Sequence, residues 1–285
     1  MKRIFGLLLV VLVIGVGIYL FWPRPPAPTP QTATNHDPRA LTAAEQASFL
    51  PLVCGGATAG SGGYRYNCTS LPGYPSQDIG GAGLGLGITL SSVMYGEISA
   101  AGANEAYVSY QGSFEPHADN FGGGVLFENQ GGVWRLVNWF PGGALTHCLS
   151  LNPTGRAKLL CLFGYTSQGE ADNVLDLVNI SSNGSLSRSH VLVAHDLRGT
   201  IDPEANCNLQ RSPDQAILLG MSALAHASNG ATVQAEYVPA QQAASACAAK
   251  TFASVRTQKA MLTLAWDGSS ITISPDLNFT QAGNN

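Results

Sequence analysis

Residues 114–124 read FEPHADNFGGG, which puts Glu115 and His117 two apart, then Asp119 and Asn120, then three glycines. A carboxylate and an imidazole at that spacing can converge on one water or one ligand as acid and base, and glycines let a backbone approach closely. Charged residues make up only 11% of the chain, so such a concentration stands out. The same stretch also reads as a turn. Pro116 fixes φ, Asp119 and Asn120 hydrogen-bond nearby amides, and Gly122 to Gly124 relieve crowding at a strand entrance. Glu115, His117, Asp119 and Asn120 are therefore ligand-binding candidates, and Glu115 with His117 is the acid/base pair of a hydrolase alternative.

The stretch VWRLVNWFPGG offers a second candidate surface. Strict alternation places Trp134, Leu136 and Asn138 on one strand face and Arg135, Val137 and Trp139 on the other. One tryptophan then belongs to the core, and Trp139 beside Arg135 becomes a recognition candidate for a protein or glycan. Tyr64-Arg65-Tyr66, inside a possible Cys54 to Cys68 loop, is a similar case. His190 and His195 are five apart on an expected strand, which sends their rings to opposite faces and prevents a shared metal. His147 and His226 lie near turns.

The sequence contains no H-E-x-x-H, G-x-S-x-G, Walker or S-x-x-K pattern. IGGAGLGLGITL lacks the G-x-G-x-x-G spacing and following helix of a dinucleotide site, so no cofactor is expected.

The elements that must position these residues are mostly strands. Thr42 and Glu45 have capping-box spacing, which predicts one short helix ending before Pro51. Beyond it four segments each pass from a polar turn into an apolar strand: GANEAYVSY from Gly102, GRAKLLCLF from Gly155, SPDQAILLG from Ser212 and RTQKAMLTL from Arg256. Each is followed by a hairpin signal, namely Gly131-Gly132, Asn183-Gly184, Asn229-Gly230 and Asp267-Gly268. Repeats of roughly 45–55 residues from about residue 93 predict a mainly β fold of repeated antiparallel modules, a small or incomplete propeller, with a β-sandwich as the alternative.

In the first unit, YGEISAAGANEAYVSY resembles the FG-GAP or VCBS type of propeller repeat, whose loop carries carboxylates at alternate positions. Glu97 and Glu105 match its first and last acids, which makes them calcium candidates by resemblance. Ser99 and Ala101 stand where the middle ligands belong, and a hard cation wants six to eight oxygens, so the resemblance implies a metal-free relative. The whole chain resembles bacterial envelope proteins, a likeness that supplies no activity.

Six cysteines, Cys54, Cys68, Cys148, Cys161, Cys207 and Cys247, follow residue 40 and predict three disulfides in an oxidising compartment. Fifteen pairings are open, of which neighbour pairing is the simplest; the turn at Pro153-Thr154-Gly155 can bring Cys148 opposite Cys161. At the N-terminus Lys2 and Arg3 precede an uncharged apolar run from Ile4 to Trp22, about the length of a bilayer core of roughly 30 Å. It is read as an uncleaved signal anchor, with a cleaved signal peptide as the alternative. The expected organisation is a cytoplasmic tip at 1–3, a transmembrane anchor at 4–22, a Pro/Thr-rich linker at 23–39 and a β domain at 40–285. That places a single-pass protein in a bacterial inner membrane with its domain in the periplasm or outside the cell. The 18 acidic residues outnumber the 14 Lys plus Arg, two of which precede the anchor, and this argues against nucleic acid as a partner.

Together these features suggest a membrane-anchored binding or scaffold protein with a protein or glycan partner in the envelope, including a periplasmic inhibitor or immunity-type role. An envelope-polymer hydrolase is the rival reading.

Overall fold

The computed structural model describes residues 37–75, 85–114, 122–152, 154–181 and 185–279. The proposed anchor at 4–22 and most of the linker lie outside them. Among the described residues no helix is long and apolar enough to cross a membrane.

The chain enters through β1 (Arg39–Ala40) and helix α1 (Ala43–Val53). The capping box forms as the spacing requires: Glu45 N–H donates to the Thr42 hydroxyl, and the Glu45 carboxylate accepts from Thr42 N–H at 2.8 Å. The helix does not stop before Pro51. It runs on to Val53, because Phe49 and Val53 are fully buried and Cys54 N–H still reaches Leu50 O.

Three antiparallel sheets follow, none of them closed. The first has the order β2 (Thr58–Ala59), β3 (Tyr66–Cys68), β4 (Leu86–Gly96), β5 (Glu105–Gly112), β6 (Gly122–Gln130) and β7 (Val133–Pro141), with β1 also paired to β4. The second is β11 (Leu186–Asp196), β10 (Glu170–Ile180), β9 (Leu159–Ser167) and β8 (Cys148–Ser150). The third is β12 (Ile217–Ala227), β13 (Gly230–Val238), β14 (Gln258–Trp266) and β15 (Ile271–Ser274).

Buried side chains show how the sheets layer. Phe49, Val53, Val108, Tyr110, Phe127 and Trp139 form a core between α1 and the first sheet. The other face of that sheet, through Met94, Tyr107, Leu126 and Phe140, packs on Leu159, Cys161, Val178 and Ile180 of the second sheet. Leu149, Leu160, Leu175 and Leu192 on the far side of the second sheet meet Leu218, Met221, Val233 and Leu262 of the third. Helix α2 (Ala240–Ala248), with Phe252, covers Ile217, Leu219 and Val238 on the third sheet's outer face. The result is three sheets in layers between helical caps, one layer more than a sandwich.

Of the hairpin signals, Gly131-Gly132 joins β6 to β7 with φ of 64° and 90°, a conformation glycine reaches without strain. Asn229-Gly230 and Asp267-Gly268 join β12 to β13 and β14 to β15; Asn183-Gly184 lies outside the described residues. The four expected units do not make four sheets. The third and fourth are successive hairpins of one sheet, because β13 pairs with β14 from Gly230↔Ala265 to Tyr237↔Gln258. The first unit is absorbed into the larger sheet that includes the N-terminal strands.

All three disulfides join neighbours in sequence: Cys54–Cys68, Cys148–Cys161 and Cys207–Cys247. Cys148 and Cys161 are direct cross-strand partners with Cα atoms 4.0 Å apart. Disulfides belong to oxidising compartments, so the domain is extracytoplasmic.

Candidate functional site

The three sheets meet around a cleft of about 530 Å³. Its walls come from β4, β5, β6, β9, β10 and β12 and from residues 142–147, which lead from β7 to β8. Buried hydroxyls fix that connection in place. Tyr107 O–H donates to Gly143 O at 2.7 Å, Leu145 N–H donates to the Ser109 hydroxyl at 2.9 Å, and the Ser92 hydroxyl donates to Leu145 O at 3.3 Å. Burial pushes the Tyr107 phenol well above its ordinary range, so it serves as a neutral donor. The connection carries Thr146 and His147, both exposed, to the rim.

Two strand irregularities shape the walls. In β4 the register slips between Leu90↔Tyr110 and Ser92↔Ser109, leaving Ser91 as an extra residue facing the cleft. Its hydroxyl is buried and has no hydrogen-bond partner. In β12 a slip between Ser222 and Ala225 puts Ala223 on the cleft wall at φ 53°, a left-handed conformation costly for a residue with a Cβ. Bulges of this kind re-aim side chains and are common beside functional sites. On β10, Asn173 Oδ1 accepts from Met221 N–H at 3.2 Å and so joins the second sheet to the third. That bond identifies the oxygen and leaves the amide NH₂ toward Gly164, where an added Cβ would stand 3.1 Å from Nδ2. Phe163 forms part of the wall with the Arg188 guanidinium 4.1 Å above its ring, and Arg188 also donates to Gly142 O.

Glu115, His117, Asp119 and Asn120 lie outside the described residues. The strand ends nearest to them are described: Gln111 of β5 pairs with Gly122 of β6, and both line the cleft. Trp139 is not a surface residue. It is 3% exposed, donates from Nε1 to Pro72 O at 2.9 Å and meets Tyr74 and Tyr110 edge-on. The reason is a bulge at Val137, where Leu126↔Asn138 is followed by Phe127↔Leu136; it reverses the alternation and turns Trp134 and Trp139 to the same core face. Arg135 stays exposed on the opposite face, across from Glu128.

The histidine expectation fails for the same reason. β11 bulges at Val191, so His190 pairs with Asp176 and His195 with Asp172 on one face. Each imidazole meets its aspartate through Nδ1 at 2.6 Å. A carboxylate only accepts, so Nδ1 carries the proton and Nε2 is directed away from the aspartate. Asp176 lies four residue steps along the strand from Asp172, roughly 13 Å, so the two rings cannot share a metal despite the common face. Asp176 is 1% exposed, which makes its imidazole partner a structural requirement.

Glu97 and Glu105 do not form a cation site. The Glu105 carboxylate is buried and accepts from Ile98 N–H at 2.9 Å, Ser99 N–H at 2.7 Å and the Ser99 hydroxyl. Three donors pointing inward occupy the place where a cation would need oxygens. Among the described residues no group of three or more His, Cys, Asp or Glu side chains is arranged to hold a metal ion.

The chain matches no family model, no curated protein and no solved structure. Sequence reasoning passed over Ser91, Asn173 and Ala223, because nothing in the residue types around them marks where a strand will bulge.

Proposed function

We propose that the chain is a membrane-anchored extracytoplasmic binding or scaffold protein, held in a bacterial inner membrane by residues 4–22. In this reading the three layered sheets are blades of an incomplete propeller that present one cleft to a protein or glycan of the envelope. A periplasmic inhibitor or immunity-type role is one form of this. The observation that carries the reading is the lining of the cleft. Its described walls set the amides and hydroxyl of Gln111, Asn173 and Thr146 beside the apolar surface of Leu162, Phe163 and Met221, a mixture that suits holding a ligand.

The rival hydrolase depends on Glu115 and His117. The two readings separate when the full chain, reconstituted in lipid nanodiscs, is incubated with envelope extract. Retained protein and glycan are then quantified alongside new reducing ends and new amino termini. Binding predicts retention without cleavage products, and retention that survives Glu115→Gln. Cleavage products that vanish in Glu115→Gln would instead establish the hydrolase.

A further inference from the structure

The cleft's polar groups have a common character. Ser91 offers a buried hydroxyl with no partner. Asn173 offers an NH₂ whose companion oxygen is already occupied by Met221 N–H. Gln111 and Thr146 add an exposed amide and a hydroxyl at the rim. No Asp, Glu, Lys or Arg stands among the described lining residues, although acids and bases occur close by in the His–Asp pairs and Arg188. An ionic ligand would meet only the His147 imidazole among the described ionisable lining groups and would lose hydration on entry. A purely apolar ligand would leave the Asn173 amide NH₂ unpaired. Groups that both donate and accept satisfy both requirements.

Resting on the binding reading above, we infer that this cleft takes a neutral, hydroxyl-rich ligand, a short run of uncharged sugar residues. Its volume of about 530 Å³ lies within the range of roughly 300–1,000 Å³ usual for small-ligand sites. Asn173 grips the ligand's hydroxyls, and the bulge at Ala223 sets the width of the opening.

The test uses the full chain in lipid nanodiscs, so that no sugar-headed detergent competes. Calorimetric titrations with chitotriose and maltotriose are compared with an acidic trigalacturonate and an uncharged extended peptide. Saturable binding of a neutral trisaccharide is expected. Asn173→Asp keeps the oxygen for Met221 N–H but replaces the NH₂ with a second carboxylate oxygen, and should weaken binding by at least about tenfold. Ser222→Trp, at an exposed wall position, should abolish binding while the melting temperature stays unchanged. Thr146→Val provides a milder rim variant, expected to weaken binding severalfold, if either of the others melts early. Failure of both neutral sugars to bind, tighter binding of the acidic sugar or the peptide, or sugar binding indifferent to all three variants would overturn the inference. Retained capture of an envelope protein in those cases would leave the general binding function standing, so the two failures are distinguishable.

Discussion

Glu45 gathers Arg39, Thr42 and Tyr95 around a carboxylate that is 6% exposed. Burial alone would raise its pKa, but the bonds from Arg39, Thr42 and Tyr95 outweigh burial and hold it at about 2, against an ordinary 4.5. A folded-state pKa below the unfolded value means the stabilisation is fully present above about 4.5 and disappears as the pH falls through about 2. Arg39 is 42% exposed, so after solvent screening the contribution is about 2 kcal/mol. Glu45→Gln should lower the unfolding free energy read from urea denaturation by that amount at pH 7 and differ little from wild type near pH 2. Asp176 makes a complementary case. His190→Ala strands a buried carboxylate, and a loss of about 1–3 kcal/mol is expected in the same assay.

At the scale of elements, single extra residues in strands decide which face a side chain occupies. Val137 turns two tryptophans to one core, and Val191 puts two histidines on one face. Deleting Val137 restores strict alternation and should expel one tryptophan from the core. The expected cost is about 3–5 kcal/mol, seen as red-shifted emission and loss of near-ultraviolet dichroism. The effect of these bulges also explains what was legible beforehand. The capping box at Thr42 and Glu45, the glycine turns and the hairpin that sets Cys148 opposite Cys161 all rest on contacts local in sequence, and local chemistry announces them. The faces of Trp139 and His195, and the cleft residues Ser91 and Ala223, depend on where a neighbouring strand slips register, which is a property of two segments at once. The same non-locality merged the third and fourth units into one sheet: β13 finds its second partner in β14, across helix α2, whose alanine-rich segment does announce a helix but not which strands it joins.

For the whole molecule, the three disulfides are divided between the layers: Cys54–Cys68 at the first sheet, Cys148–Cys161 inside the second, and Cys207–Cys247 in the cap of the third. The last closes a separation of 40 residues, for which chain entropy gives about 4 kcal/mol. Replacing both cysteines with Ala should lower the unfolding free energy by an amount of that order, read by chemical denaturation. Thiol titration of the native chain should find no free cysteine, and six after reduction.

The entry to the domain touches every layer. Asp37 accepts from Ser150 N–H of the second sheet at 2.7 Å and meets His226 Nε2 of the third at 2.6 Å, while Arg39 and Ala40 pair with β4 of the first. Seen mechanically, this is a rivet at the point where a tether would pull. Tension drawn through residue 37 divides among three sheets in parallel instead of peeling one strand from its edge. In an optical trap pulling from the N-terminus, Asp37→Ala should lower the first rupture force while leaving the later rupture of the sheets unchanged.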